Sequence, residues 1–129
     1  MAEPMSTRPK YLDLTSIRLP LPGKVSILHR ISGFGLFVIL PFLLIAMSHS
    51  LASEQGFAAI KQWFTLWPVK LIAIVLILAY VQHLCSGVRF LLLDIHIGVE
   101  KTAANRSSLA VFVLSIALTL LIAWRILPW

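Results

Sequence analysis

Three runs of the chain contain no Asp, Glu, Lys or Arg, and each is long enough to matter to a bilayer: residues 31–53, 71–88 and 107–124. The two shorter runs cover roughly 27 Å at the helical rise, close to a hydrocarbon core of about 30 Å, and the longer one crosses with some tilt. In hydrocarbon a backbone must satisfy its own hydrogen bonds, and an isolated apolar run does so only as a helix. The expectation is an all-α membrane protein of one domain, 1–129, with helix one over about 26–52, helix two over about 67–93 and helix three over about 106–127. Residues 1–25 are left as a polar N-terminal segment.

Composition agrees: 59% of residues are hydrophobic, 12% are charged, and the mean hydropathy is +0.92. Such a chain belongs in lipid. The net charge of +6 raises the question of nucleic acid, but the basic residues are sparse and separated by apolar stretches, which excludes a nucleic-acid interface. They report orientation instead. Sorted by the uncharged runs, five of the 11 Lys and Arg come before the first run, two between the first and second, three between the second and third, and Arg125 after the third. The positive-inside tendency then puts the N-terminus and second loop in the cytoplasm and the C-terminus in the periplasm. Trp63, Trp67, Trp124 and Trp129 would all mark the outer interface.

The first apolar run follows 30 largely polar residues and is too long for the apolar stretch of a signal peptide, so a bacterial inner membrane is the simplest address. With one cysteine, Cys85, the chain forms no internal disulfide and no cysteine metal cluster. Pro41 predicts a kink in helix one. Helix three, without His, Gly or Pro between 107 and 124, reads as plain lipid-facing scaffold.

Chemistry is therefore sought among polar residues at membrane depth. His83 lies five residues from the end of the second run, where an ionisable side chain is costly and points to function. Two readings stand side by side: a haem or metal ligand, or a histidine hydrogen-bonded to a neighbouring helix. Gly87, one turn on, offers close approach to a macrocycle or another helix. Asp94 returns to the same face at the cytoplasmic end, where an interfacial cap is the simplest role. On helix one, Ser26, His29, Arg30 and Gly33 follow the i, i+3, i+4, i+7 pattern of one face. An arginine there either snorkels to the headgroups or meets a carboxylate or quinone carbonyl. In an antiparallel pair, this end of helix one meets the end of helix two that bears His83 and Arg89.

The segment RPKYLDLTSIRLPLPGKVSILHRISG followed by HLCSGVRFLLLD resembles the cytochrome b subunit of bacterial succinate dehydrogenase, the larger membrane anchor of respiratory complex II. The likeness covers essentially the whole chain, and its motifs are specific because they occur together and in order.

The resemblance implies a bundle shared with a second, smaller anchor subunit. His83 would supply one axial ligand to the iron of a b-type haem, and a histidine of the other anchor the second. It places ubiquinone near Ser26 and Arg30, with Ser26 bonding a quinone oxygen, Arg30 reaching the quinone or a haem propionate, and Ile27 on the apolar wall. His29 joins the cofactor-binding set, while His49 and His96 are expected to be interfacial or solvated. Iron-sulfur and flavoprotein subunits are the expected partners on the cytoplasmic side. Phe90 departs from the pattern, since many relatives carry a histidine directly after the motif arginine. The rival expectations are a non-redox structural anchor and a fumarate reductase anchor working in the opposite direction.

Overall fold

The computed structural model describes residues 18–127; the RPKYLDL motif and Trp129 lie outside the described residues. Four helices follow in order: α1 (Leu21–Ala52), α2 (Glu54–Trp63), α3 (Trp67–Asp94) and α4 (Lys101–Ile126). α1, α3 and α4 are each long and apolar enough to cross a membrane, so the chain is a multi-pass membrane protein.

Uncharged runs report the width of the lipid, and helices outlast it. α1 begins at Leu21, five residues before the expected start, because Pro22 sits in the first turn where its missing N–H is no loss. The Pro20 carbonyl accepts from Gly23 and Lys24 at 3.0 and 3.2 Å and completes that turn. Ser26 thus lies more than a turn inside α1. α4 likewise begins at Lys101 rather than near 106, and α1 runs unbroken through Pro41.

α2, a short helix in the first loop, was not foreseen. Ser53 breaks α1 with extended backbone and caps α2, its Oγ accepting from Gly56 N at 3.0 Å. Gly56 is buried against the His49 carbonyl, where a Cβ would collide. The far end of α3 closes with paired bonds from His96 N to the Leu93 carbonyl and Ile97 N to the Leu92 carbonyl, both 2.9 Å. That motif needs a left-handed residue, and His96 supplies it at φ 64°.

The interior is unlike that of a water-soluble protein. Among the described residues, five apolar side chains are buried (Val25, Val81, Val111, Ala123, Leu127) against seven polar ones (Ser32, Gln82, Ser86, Arg89, Ser108, Ser115, Thr119). Large apolar residues point outward, Phe37 with 76% of its surface exposed. Lipid gives no reason to hide leucine, so the helices meet through small and hydrogen-bonding residues.

This corrects the expectation for the third span. α4 is not plain scaffold: Ser108, Val111, Ser115, Thr119 and Ala123 form one buried face at three- and four-residue spacing. The hydroxyls of Ser108, Ser115 and Thr119 turn back to the carbonyls of Ala104, Val111 and Ser115 at 2.7, 2.6 and 2.6 Å. Each is spent on its own helix, which keeps the face small and dry.

Candidate functional site

His83 reaches from α3 to the backbone of α1. Its Nδ1 lies 3.1 Å from the His29 carbonyl oxygen and 3.3 Å from Ser32 Oγ. Ser32 Oγ donates to the same carbonyl at 3.0 Å. A carbonyl oxygen only accepts, so the 3.1 Å bond requires the proton on Nδ1 and leaves the lone pair on Nε2.

Nε2 makes no hydrogen bond, yet among the described residues no fully buried side-chain nitrogen or oxygen is left without a partner. The nitrogen with the free lone pair therefore reaches the surface. The sequence left open whether His83 is a ligand or a helix-bonding histidine. One nitrogen makes the helix bond and the other stays available, so the two roles are compatible.

The His29 ring stacks on the His83 ring with centroids 4.2 Å apart and planes 6° from parallel. Its other neighbour is Phe90, tilted by 60° at 5.1 Å. The His83 ring passes over Gly33, where an added Cβ would lie 2.8 Å from Cε1 and 3.2 Å from Nδ1. At Gly87 the same addition would meet only His29 Nε2, at an ordinary 3.6 Å. The clearance that the sequence led one to seek at Gly87 is, within this chain, demanded at Gly33.

Ser26, Ile27 and Arg30 contribute none of these hydrogen bonds or ring contacts. Ser26 is half-buried, Ile27 and Arg30 are exposed, and Arg30 has no ion pair or hydrogen bond among the described residues. A cavity of about 620 Å³ opens between α1, α3 and α4, with Ser32, Phe34, Gln82, Phe112 and Ser115 among its walls; Ser26, Ile27, Arg30 and His83 are not. The candidate residues lie outside that cavity, with Ile27 and Arg30 on the exposed surface of α1.

Arg89 does something else. It is only 5% exposed, its Nε donates to Ser107 Oγ at 2.9 Å and its Nη2 to the Ala104 carbonyl at 3.3 Å, fastening α3 to the first turns of α4. One and two turns earlier on α3, Ser86 Oγ accepts from Gln82 Nε2 at 3.0 Å. Asp94, His49 and His96 are exposed, and His49 borders a second cavity of about 430 Å³ beside Trp63.

Sequence reading did not single out Ser32, Gln82, Ser86 or Ser107. The signal available was simply a polar residue inside an uncharged run, which Ser32, Gln82 and Ser86 share with His83.

Comparison with known proteins completes the picture. Residues 5–122 match the model of the succinate dehydrogenase/fumarate reductase transmembrane subunit family. The chain is 34% identical to the succinate dehydrogenase cytochrome b556 subunit of Coxiella burnetii, over 91% of this chain and 95% of that one. The subunits of the same name from Rickettsia felis and Rickettsia typhi are each 30% identical, over 89% of this chain and 90% of theirs. Three membrane-spanning helices and similarity along nearly the whole chain lead to one conclusion: this chain belongs to the succinate dehydrogenase/fumarate reductase transmembrane subunits, among the succinate dehydrogenase cytochrome b subunits.

Proposed function

We propose that this chain binds haem b through His83 Nε2, shares that haem with a second, smaller anchor subunit that supplies the other axial histidine, and helps form the ubiquinone reduction site of succinate dehydrogenase. One observation carries the reading: a histidine at membrane depth with Nδ1 bonded to a backbone carbonyl and Nε2 unspent. An axial imidazole is held in this way, with the far nitrogen fixing tautomer and ring plane while the near one binds iron. The cytochrome b556 name of the relatives supports the same assignment. Among the described residues no group of three or more His, Cys, Asp or Glu is placed to hold a metal by itself, which suits an iron already held in a macrocycle.

When bound, haem supplies a one-electron store beside the quinone. The protein's part is positional. His83 would hold the macrocycle from α3, and the stacked His29 ring, itself flanked by Phe90, covers one face of the imidazole. Ser26 would hold one quinone oxygen by its hydroxyl and Ile27 would wall the ring. Arg30, which has no partner within the described residues, would meet the negative charge that builds on the quinone oxygens during reduction or a haem propionate. The smaller anchor would complete the pocket over this exposed surface of α1. The iron-sulfur and flavoprotein subunits would dock at the cytoplasmic end of the bundle, in a bacterial inner membrane with the N-terminus inside and the C-terminus in the periplasm.

The test is a reduced-minus-oxidised absorption spectrum of the assembled complex, with and without His83→Ala. Loss of the b-type signal in the variant is expected; a signal that His83→Ala leaves intact rejects the assignment.

A further inference from the structure

We infer that Gly33 and Ser32 are positioning residues for His83, holding the imidazole plane and the Nδ1 proton and through them the properties of the iron that Nε2 would bind. The inference rests on the haem reading of His83 and deepens it.

An imidazole ligand has two adjustable properties. Its donor strength rises as the hydrogen bond donated by the far N–H strengthens, and the rotation of its plane about the iron–nitrogen axis sets the energies of the iron orbitals it meets. In a long apolar helix pair a histidine ring would otherwise be free to pivot. Here three contacts act on it together. Nδ1 is bonded to the His29 carbonyl at 3.1 Å, with Ser32 Oγ at 3.3 Å on the same atom. One ring face lies parallel to His29 at 4.2 Å. The ring edge passes over Gly33 so closely that a Cβ would stand 2.8 Å from Cε1.

Cε1 is the carbon between the two nitrogens. A methyl group pressed against it drives Nδ1 off the His29 carbonyl and swings Nε2 at the same time, so the bond and the plane cannot be kept together. The obstruction is carbon against a ring already boxed in by His29, and no flexible side-chain end is available to yield. Ser32 acts from the other side: its hydroxyl donates to the His29 carbonyl at 3.0 Å, which leaves its lone pairs to face the Nδ1 proton. Ser32 is also buried, at 8% exposure.

Gly35 provides the internal control. It lies two residues on in the same helix, and a Cβ there would meet nothing within 4 Å. Both glycine-to-alanine changes raise helix propensity alike, so a difference between them reports the His83 contact.

The experiment uses the whole membrane complex, assembled with its partner subunits and quantified by succinate oxidation with a soluble dye as acceptor. Haem content, the ferric low-spin electron paramagnetic resonance g-values and the midpoint potential are read for wild type, Gly33→Ala, Gly35→Ala, Ser32→Ala and His83→Ala. The expected result is no haem in His83→Ala, several-fold less haem or displaced g-values and potential in Gly33→Ala, and wild-type values in Gly35→Ala. Ser32→Ala is expected to keep its haem with a shifted potential, restored by Ser32→Thr. If His83→Ala abolishes haem while Gly33→Ala matches wild type in all three readouts, the inference falls and the haem reading stands. If His83→Ala keeps haem, both fall. Should Gly33→Ala fail to assemble, Ser32→Ala decides, because it removes an atom instead of adding one: a shift rescued by Thr supports the inference and unshifted values overturn it.

Discussion

α3 meets its neighbours along two polar seams that differ in one respect. Toward α4, Arg89 bonds Ser107 and the Ala104 carbonyl, and on α3 itself Gln82 bonds Ser86, so these polar groups are spent inside the chain. Toward α1, His83 spends one nitrogen on the His29 carbonyl and keeps the other, while Arg30 nearby on α1 has no partner among the described residues. The two arginines sharpen the contrast: Arg89 is buried and bonded, Arg30 exposed and unbonded. In lipid an unspent polar group is expensive, so a satisfied seam reads as structure and an unsatisfied one as a place awaiting a partner.

The largest effects should therefore come from the open seam and should fall on function. Beyond the haem loss expected of His83→Ala, Arg30→Leu is expected to lower quinone reduction on the order of 100-fold, the scale of losing one charge-stabilising group beside a developing oxyanion. Succinate oxidation with a soluble dye should stay unchanged, since the function proposed above assigns that chemistry to the partner subunits. Quinone turnover at the wild-type rate in Arg30→Leu would remove Arg30 from the site and erase the functional half of the contrast.

Arg89→Leu should do the reverse. Its two bonds bring the end of α3 to the start of α4, and hydrogen bonds from a charged group contribute about 2 kcal/mol. Ser107 Oγ keeps its own bond to the Ala104 carbonyl at 3.1 Å, so the loss is not compounded by an orphaned acceptor. The expected outcome is a complex that unfolds at lower SDS fraction in mixed micelles, with haem spectrum and quinone affinity retained in the portion that assembles. A lost or altered haem spectrum at full assembly would show that Arg89 serves the open seam as well.

How much of this was legible beforehand follows from the same physics. The three spans were plain because charge is excluded from hydrocarbon, and that exclusion leaves gaps in the sequence that need no structure to see. His83, His29 and Gly33 were visible as polar or small residues at helical spacing. The early start of α1 at Leu21 and of α4 at Lys101 was not, since a helix continues into the headgroup layer where charges are allowed. α2 was missed because ten residues carry too little apolar signal to stand apart from a loop. The role of α4 was misread because serine and threonine look neutral in a hydropathy reading, and only the packed structure shows them gathered on one face. Ser32 escaped for a related reason: its importance depends on a carbonyl and on a ring 51 residues away.

The smallest effect sharpens what the closed seam is made of. Ser108 is fully buried on the packed face of α4, and its hydroxyl bonds only to the Ala104 carbonyl of its own helix, at 2.7 Å. That carbonyl also accepts from Ser107 at 3.1 Å and from Arg89 at 3.3 Å, so it keeps donors when Ser108 loses its oxygen. Ser108→Ala therefore removes a bond that crosses no interface and orphans no acceptor, and stability in the same SDS titration should change by no more than about 0.5 kcal/mol. Ser108→Leu keeps the helix but adds bulk where the exposed surface is already 0%, and overpacking of that kind costs roughly 1–3 kcal/mol. Equal destabilisation by Ala and Leu would mean that the hydroxyl itself holds the seam. A large penalty for Leu alone identifies small size as what these residues contribute, and leaves Arg89 as the principal polar tie across α3 and α4.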